Sequence, residues 1–154
     1  MMSLASNVIS ALGGRTLVTA ESCTGGGIGE ALTAVAGASA VYKGGVISYC
    51  NELKEMLLGV PADILEIHGA ISAPVAEAMA AGARNRLHAD IAISVTGLAG
   101  PSADSFGNPV GTVFLGYADK GICLSKKYLF DGDREAIRKQ AVEAALRFIL
   151  EHAG

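Results

Sequence analysis

Thr16-Leu17-Val18-Thr19-Ala20, running straight into Glu21-Ser22-Cys23-Thr24-Gly25-Gly26-Gly27, sets the class of this chain. Four of the first five residues are β-branched or small and three are apolar, as suits a buried strand. The next seven are polar and glycine-rich, and an apolar helix-period segment, Ile28 to Val35, follows before Gly37 ends it. A strand, a glycine turn and a helix in that order form the first half of an α/β unit.

Working outward, residues 3 to 12 predict a short amphipathic helix stopped by Gly13-Gly14. Val46 to Cys50 predicts a second strand, and Asn51 is expected to cap a short helix that carries Lys54. Pro61 and His68-Gly69 punctuate a connector. Ser72 then caps a helix to about Leu87, whose alanines and Gly82 imply close packing against a flat surface. Asp90 to Thr96 is apolar on both alternating faces apart from Ser94 and Thr96, the mark of a central strand. Gly97 to Pro109 is a polar loop. Val110 to Ala118 and Ile122 to Phe130 predict two strands joined by the hairpin turn Asp119-Lys120-Gly121. Asp133 caps a last helix with Ile137, Ala141, Ala144, Ala145, Phe148 and Ile149 at helical spacing. Helices alternating with strands, then an antiparallel pair, predict a three-layer α/β/α sandwich with a mixed sheet. A single domain over residues 1–154 is expected.

Composition narrows the partners. The formal charge is −3 with no basic stripe, so no direct contact with nucleic acid is expected. No apolar stretch approaches the ~18 residues of a membrane span, and the first ten lack the pattern of a signal peptide. Cys23, Cys50 and Cys123 are odd in number and widely spaced, which reads as reduced thiols in a cytoplasmic protein. A compact aliphatic α/β domain is expected to self-associate as a homo-oligomer, in a copy number the chain does not fix.

Three polar loops follow three strands: Glu21 to Gly27, Tyr49 to Lys54 and Gly97 to Pro109. In open α/β sheets, ligands bind where strand ends meet such loops. Thr24, Gly25 and Gly26 before a helix make a candidate cradle for a phosphate or an oxyanion, or merely a turn that needs glycine. The run is neither a Walker loop nor GxGxxG, so neither ATP nor a dinucleotide is supported. Ser22 sits where a nucleophile would be exposed and close to donor amides. It needs a base, and His68, His88 and His152 all lie outside any triad context. Lys54 is the alternative base, since burial can lower a lysine's pKa toward neutrality. Cys23 competes with Ser22, and spacing alone leaves that choice open. Arg134 and Arg138, at the start of the last helix, are candidates for a phosphate or, equally, helix-surface arginines.

Ala20-Glu21-Ser22-Cys23-Thr24-Gly25-Gly26, Ser48-Tyr49-Cys50-Asn51 with Lys54, and Leu58-Gly59-Val60 together resemble the CinA C-terminal domain family. So do His68-Gly69-Ala70-Ile71-Ser72, Thr96-Gly97-Leu98-Ala99-Gly100-Pro101, Pro109-Val110-Gly111-Thr112-Val113 and Gly132-Asp133-Arg134. These matches keep their order from about residue 18 to 148. The molybdopterin-binding-like domain often fused ahead of this module has no counterpart in these residues. The resemblance implies an amidohydrolase that converts nicotinamide mononucleotide to nicotinate mononucleotide and ammonia. It also implies a serine nucleophile matching Ser22, with Tyr49 and Lys54 matching the motif's tyrosine and lysine, and neither a metal nor an organic cofactor. The proton of Ser22 would pass to Lys54 directly or through Tyr49. Two alternatives stand beside this reading: a non-catalytic nucleotide-binding module, and an amidase for another small amide. The chain departs from the family in its third loop, where Ser102 to Asn108 replace further glycines and a basic residue. If that loop cradles phosphate, Asp104 puts a negative charge where a donor is wanted.

Overall fold

The computed structural model describes residues 2–154. Helix α1 (Leu4–Leu12) leads into strand β1 (Leu17–Glu21), then α2 (Gly27–Thr33), a single 3-10 turn at Ala38–Ala40 and β2 (Tyr42–Ile47). Three helices follow, α3 (Asn51–Leu58), α4 (Ala62–His68) and α5 (Ala73–Arg86), before β3 (Ile91–Gly97). An antiparallel pair, β4 (Thr112–Ala118) and β5 (Cys123–Leu129), and the long α6 (Arg134–Ala153) complete the chain. The strands form one sheet in the order β2-β1-β3-β4-β5. β2, β1 and β3 run parallel, β4 pairs antiparallel with β3, and β5 pairs antiparallel with β4. This is the three-layer α/β/α sandwich with a mixed sheet.

The alternation of side chains along the strands builds two cores. On one face Leu17, Ile91, Ile93, Val95, Val113, Leu115 and Tyr117 pack against α1, α2 and α6. On the other, Val18, Ala20, Ala92 and Ala118 meet Leu58 of α3, Leu65 of α4 and Val75, Met79, Ala80 and Ala83 of α5. Small residues on the second face let α5 lie almost on the sheet. A methyl group added at Gly116 of β4 would run into the Ala76 carbonyl of α5, and one at Gly82 would strike the Leu58 carbonyl of α3. Ser94 uses the same closeness, donating from Oγ to the Ala76 carbonyl at 2.6 Å.

Three local readings change. β2 covers Tyr42–Ile47 rather than beginning at Val46, because Gly44 and Gly45 are strand residues here and not breakers. Gly45 lies so close to β1 that a Cβ would collide with Thr19 Oγ1, and the register shifts by one residue beside it. The 61–69 connector contains α4, entered at Pro61, whose missing N–H costs nothing at a helix start. Neither expected side-chain cap forms at α3 or α5. Cys50, not Asn51, occupies the first capping position, and Ser72 Oγ donates to the Gly69 carbonyl. Asp133 does cap α6, accepting from the Ala136 N–H.

Candidate active site

The carboxyl ends of β1, β2 and β3 open on one edge of the sheet, and the three polar loops meet there. Between them lies a cleft of about 410 Å³, within the usual range for small-ligand sites. Ser22 and Cys23 from the end of β1 form its floor with Lys54 of α3, and Thr96 to Ser102 form one wall. Tyr49 and Arg134 stand at the opening.

Lys54 is 1 % exposed despite its charge, an unusual fate for a lysine. Its Nζ lies 2.9 Å from Ser22 Oγ and donates to the Ser48 carbonyl at 2.7 Å. Burial pushes its pKa down to about 8, against an opposing pull from the Cys50 and Cys23 thiols. A substantial neutral fraction therefore exists near pH 8. In that form one N–H still goes to the Ser48 carbonyl, which can only accept, and the nitrogen lone pair is available to the Ser22 hydroxyl. Cys23 is the opposite case. Burial, the largest of its influences, drives the thiol up to about 11, so it stays protonated and weakly nucleophilic at neutral pH.

The glycine turn does not form the open anion cradle its composition suggests. The anion in it is the chain's own Glu21, 1 % exposed. Glu21 Oε1 accepts from Thr24 Oγ1, the Gly26 N–H and the Ile28 N–H, and Oε2 accepts from the Gly29 N–H at 3.0 Å. Thr24, Gly25 and Gly26 thus serve the shape of the turn, Gly25 donating back to the Ser22 carbonyl. Gly25 and Gly26 both adopt positive φ, which glycine alone takes cheaply. A buried acid just ahead of a helix start was the signal for this, because a helix N-terminus satisfies a carboxylate as well as it does a phosphate.

Arg138 is likewise committed, its Nε and Nη2 donating to the Cys23 and Thr24 carbonyls at 3.0 and 3.1 Å. It braces the turn from α6 and does not line the cleft. Arg134 does line it, donating to the Gly100 carbonyl and, at 2.9 Å, to the Tyr49 hydroxyl. Tyr49 is 63 % exposed and held by Arg134 at the rim, while Lys54 reaches Ser22 without an intermediary. All three histidines are exposed, and none lines the cleft. Asp104 does not point its charge at the cleft as an unpaired group. Its oxygens accept from the Phe106 and Asn108 N–H groups and from Asn108 Nδ2, which also donates to the Ile71 carbonyl. Partial burial raises the pKa of Asp104, but these bonds outweigh it and hold the carboxyl below its usual range. The altered loop is therefore internally tied. Among the described residues, no group of three or more His, Cys, Asp or Glu side chains could hold a metal ion. No helix among them is long and apolar enough to cross a membrane.

The model of the CinA C-terminal domain matches residues 2–153. The chain belongs to the CinA C-terminal domain family. Among curated relatives, a CinA-like protein of Geobacter sulfurreducens is 51% identical over 136 residues, covering 88% of this chain and 33% of its own length. A CinA-like protein of Parasynechococcus marenigrum is 51% identical over 149 residues, covering 94% and 35%. The chain thus spans about a third of these CinA-like relatives. Solved CinA structures share the whole fold. The competence damage-inducible protein A of Klebsiella pneumoniae superposes with a TM-score of 0.94 at 39% identity, covering 97% of this chain and 94% of its own. The competence/damage inducible protein CihA of Agrobacterium tumefaciens gives 0.92 at 40% identity, covering 96% and 92%.

Proposed function

We propose that this CinA-family chain is a nicotinamide-nucleotide amidohydrolase, hydrolysing the carboxamide of nicotinamide mononucleotide to a carboxylate and ammonia. The observation that carries the reading is the 2.9 Å contact between a buried lysine amine and a serine hydroxyl inside a ligand-sized cleft. Neutral Lys54 takes the Ser22 proton as Oγ bonds to the amide carbon. The carbonyl oxygen becomes an oxyanion. Its donors are the amides of Cys23 and Thr24, the residues directly after Ser22, which Glu21 does not engage. One such donor typically lowers the barrier by ~3 kcal/mol. As the C–N bond breaks, protonated Lys54 returns its proton to the leaving nitrogen and ammonia departs. Water, deprotonated by the same amine, then attacks the ester, and the protonated amine returns the proton to Ser22 Oγ as nicotinate mononucleotide leaves.

The pyridinium charge of this substrate withdraws electrons from the carboxamide, which makes an amide accessible to a serine. At the rim, Tyr49 offers an aromatic face for the ring. Arg134, already oriented by two hydrogen bonds, offers its charge to the phosphate. Purified protein is expected to release ammonia from nicotinamide mononucleotide, and Ser22→Ala to lower the rate roughly a thousandfold or more. Undiminished turnover in Ser22→Ala would overturn the assignment. A binding isotherm with no ammonia would favour a nucleotide-binding module, and release from other amides alone a different amidase.

A further inference from the structure

Ser48 follows β2 and joins the two halves of the site through its backbone. Its N–H donates to the Glu21 carbonyl at 2.8 Å, and its carbonyl accepts from Lys54 Nζ at 2.7 Å. The residue is 0 % exposed. Its side-chain hydroxyl finds no hydrogen-bond partner among the described residues. Buried hydroxyls are rarely left this way, because the group loses water and gains nothing. An alanine would satisfy every backbone contact of Ser48 without that cost.

Lys54 has the complementary shortage. Its ammonium form has three N–H donors, and two acceptors meet Nζ: Ser22 Oγ and the Ser48 carbonyl. The unpartnered oxygen belongs to the residue whose carbonyl already touches that nitrogen, and a serine side chain has three staggered positions to choose from. We propose that Ser48 is a positioning residue for Lys54, its hydroxyl turning to accept the third N–H when the amine takes up a proton. The inference rests on the Ser22–Lys54 reading given above. Ser48 then favours the ammonium while the proton is in transit, and is released when the proton leaves. The titratable groups facing Nζ are the Cys23 and Cys50 thiols, with Tyr49 and Arg134 at the cleft opening.

The test needs no substrate. Labelling of Ser22 by a small arylsulfonyl fluoride, followed by mass spectrometry across pH 6 to 10, reads the reactivity the amine confers. The wild-type chain is expected to show a rate that rises with pH to a plateau and collapses in Lys54→Met. In Ser48→Ala the midpoint of that rise is expected to move down by about one pH unit, a tenfold change in proton affinity, while the plateau falls. Thermal melting at pH 9.5, where the amine is neutral and the hydroxyl idle, accompanies each variant, and Ser48→Ala is expected to melt no lower than wild type there, which a merely space-filling serine would not pair with a moved midpoint. A Ser48→Ala profile that overlays the wild type would overturn the role of Ser48 and leave the Ser22–Lys54 pair standing. Labelling that ignores Lys54→Met would overturn both. Absent ammonia release with the expected labelling would remove only the substrate assignment.

Discussion

At the scale of single residues, one desolvated amine governs the chemistry proposed here. Because burial lowers the Lys54 pKa to about 8, the base form grows as pH rises through that value. The rate of ammonia release at low substrate is expected to climb about tenfold per pH unit below pH 8 and level off above it. Lys54→Arg is expected to abolish the reaction at every pH, since a guanidinium keeps its proton. A pH–rate profile of both proteins checks this, and residual activity in the arginine variant would point to another base. The residue itself was readable in the chain only as an alternative base on a short helix, and the family resemblance, not its spacing from Ser22, singled it out. Its burial was not, because nothing local to Asn51–Leu58 says which side of that short helix meets the sheet. Cys23 illustrates the same limit. Adjacent to Ser22, its thiol is pushed up by desolvation, and desolvation is a property of the surrounding fold.

At the scale of elements, close packing reverses an ordinary expectation. Replacing glycine by alanine inside a helix normally stabilises by up to ~1 kcal/mol. Gly82→Ala in α5 is expected instead to destabilise by about 1–3 kcal/mol, because the added methyl meets the Leu58 carbonyl of α3. Denaturant unfolding measures the sign directly, and a gain in stability would show that α3 and α5 can move apart. The alanines and Gly82 of α5 were readable as a sign of tight packing. The β4–β5 hairpin was readable too, from Asp119-Lys120-Gly121, where Asp119 Oδ1 accepts from the Gly121 and Ile122 N–H groups. β2 was misjudged because Gly44-Gly45 weakens the local strand signal, and only the neighbouring Thr19 explains why glycine is needed there. The turn after β1 was readable as a candidate anion cradle, with a plain glycine turn as the alternative, but its anion was not. The four donors could be anticipated from glycine and helix geometry, whereas the occupant lay in the same seven residues.

For the whole molecule, the buried amine makes stability depend on pH in an unusual direction. The folded chain gives up the Lys54 proton near pH 8 and the unfolded chain near 10.5, so between those values the unfolded state holds more protons and stability rises with pH. Below pH 8 the charge costs the fold about 3 kcal/mol. Lys54→Met is therefore expected to melt higher than wild type at pH 7, with the gap closing toward pH 10. Melting curves at the two pH values test this, and a constant gap would mean that the amine is not titrating in the fold. The layered architecture was visible from the alternation of helix and strand, but the meeting of Arg134 with Tyr49, 85 positions apart in the chain, was not. The carboxylate of Glu21 has one more consequence. On the proposed reading, because the mouth of α2 is already neutralised from within, the Ser22 hydroxyl needs no ligand to ready it, and phosphate in a buffer has no foothold beneath it. Recognition on that reading falls to Tyr49, Arg134 and the outer loops, so the stretch from Ser102 to Asn108 can drift in sequence without touching the Ser22–Lys54 contact.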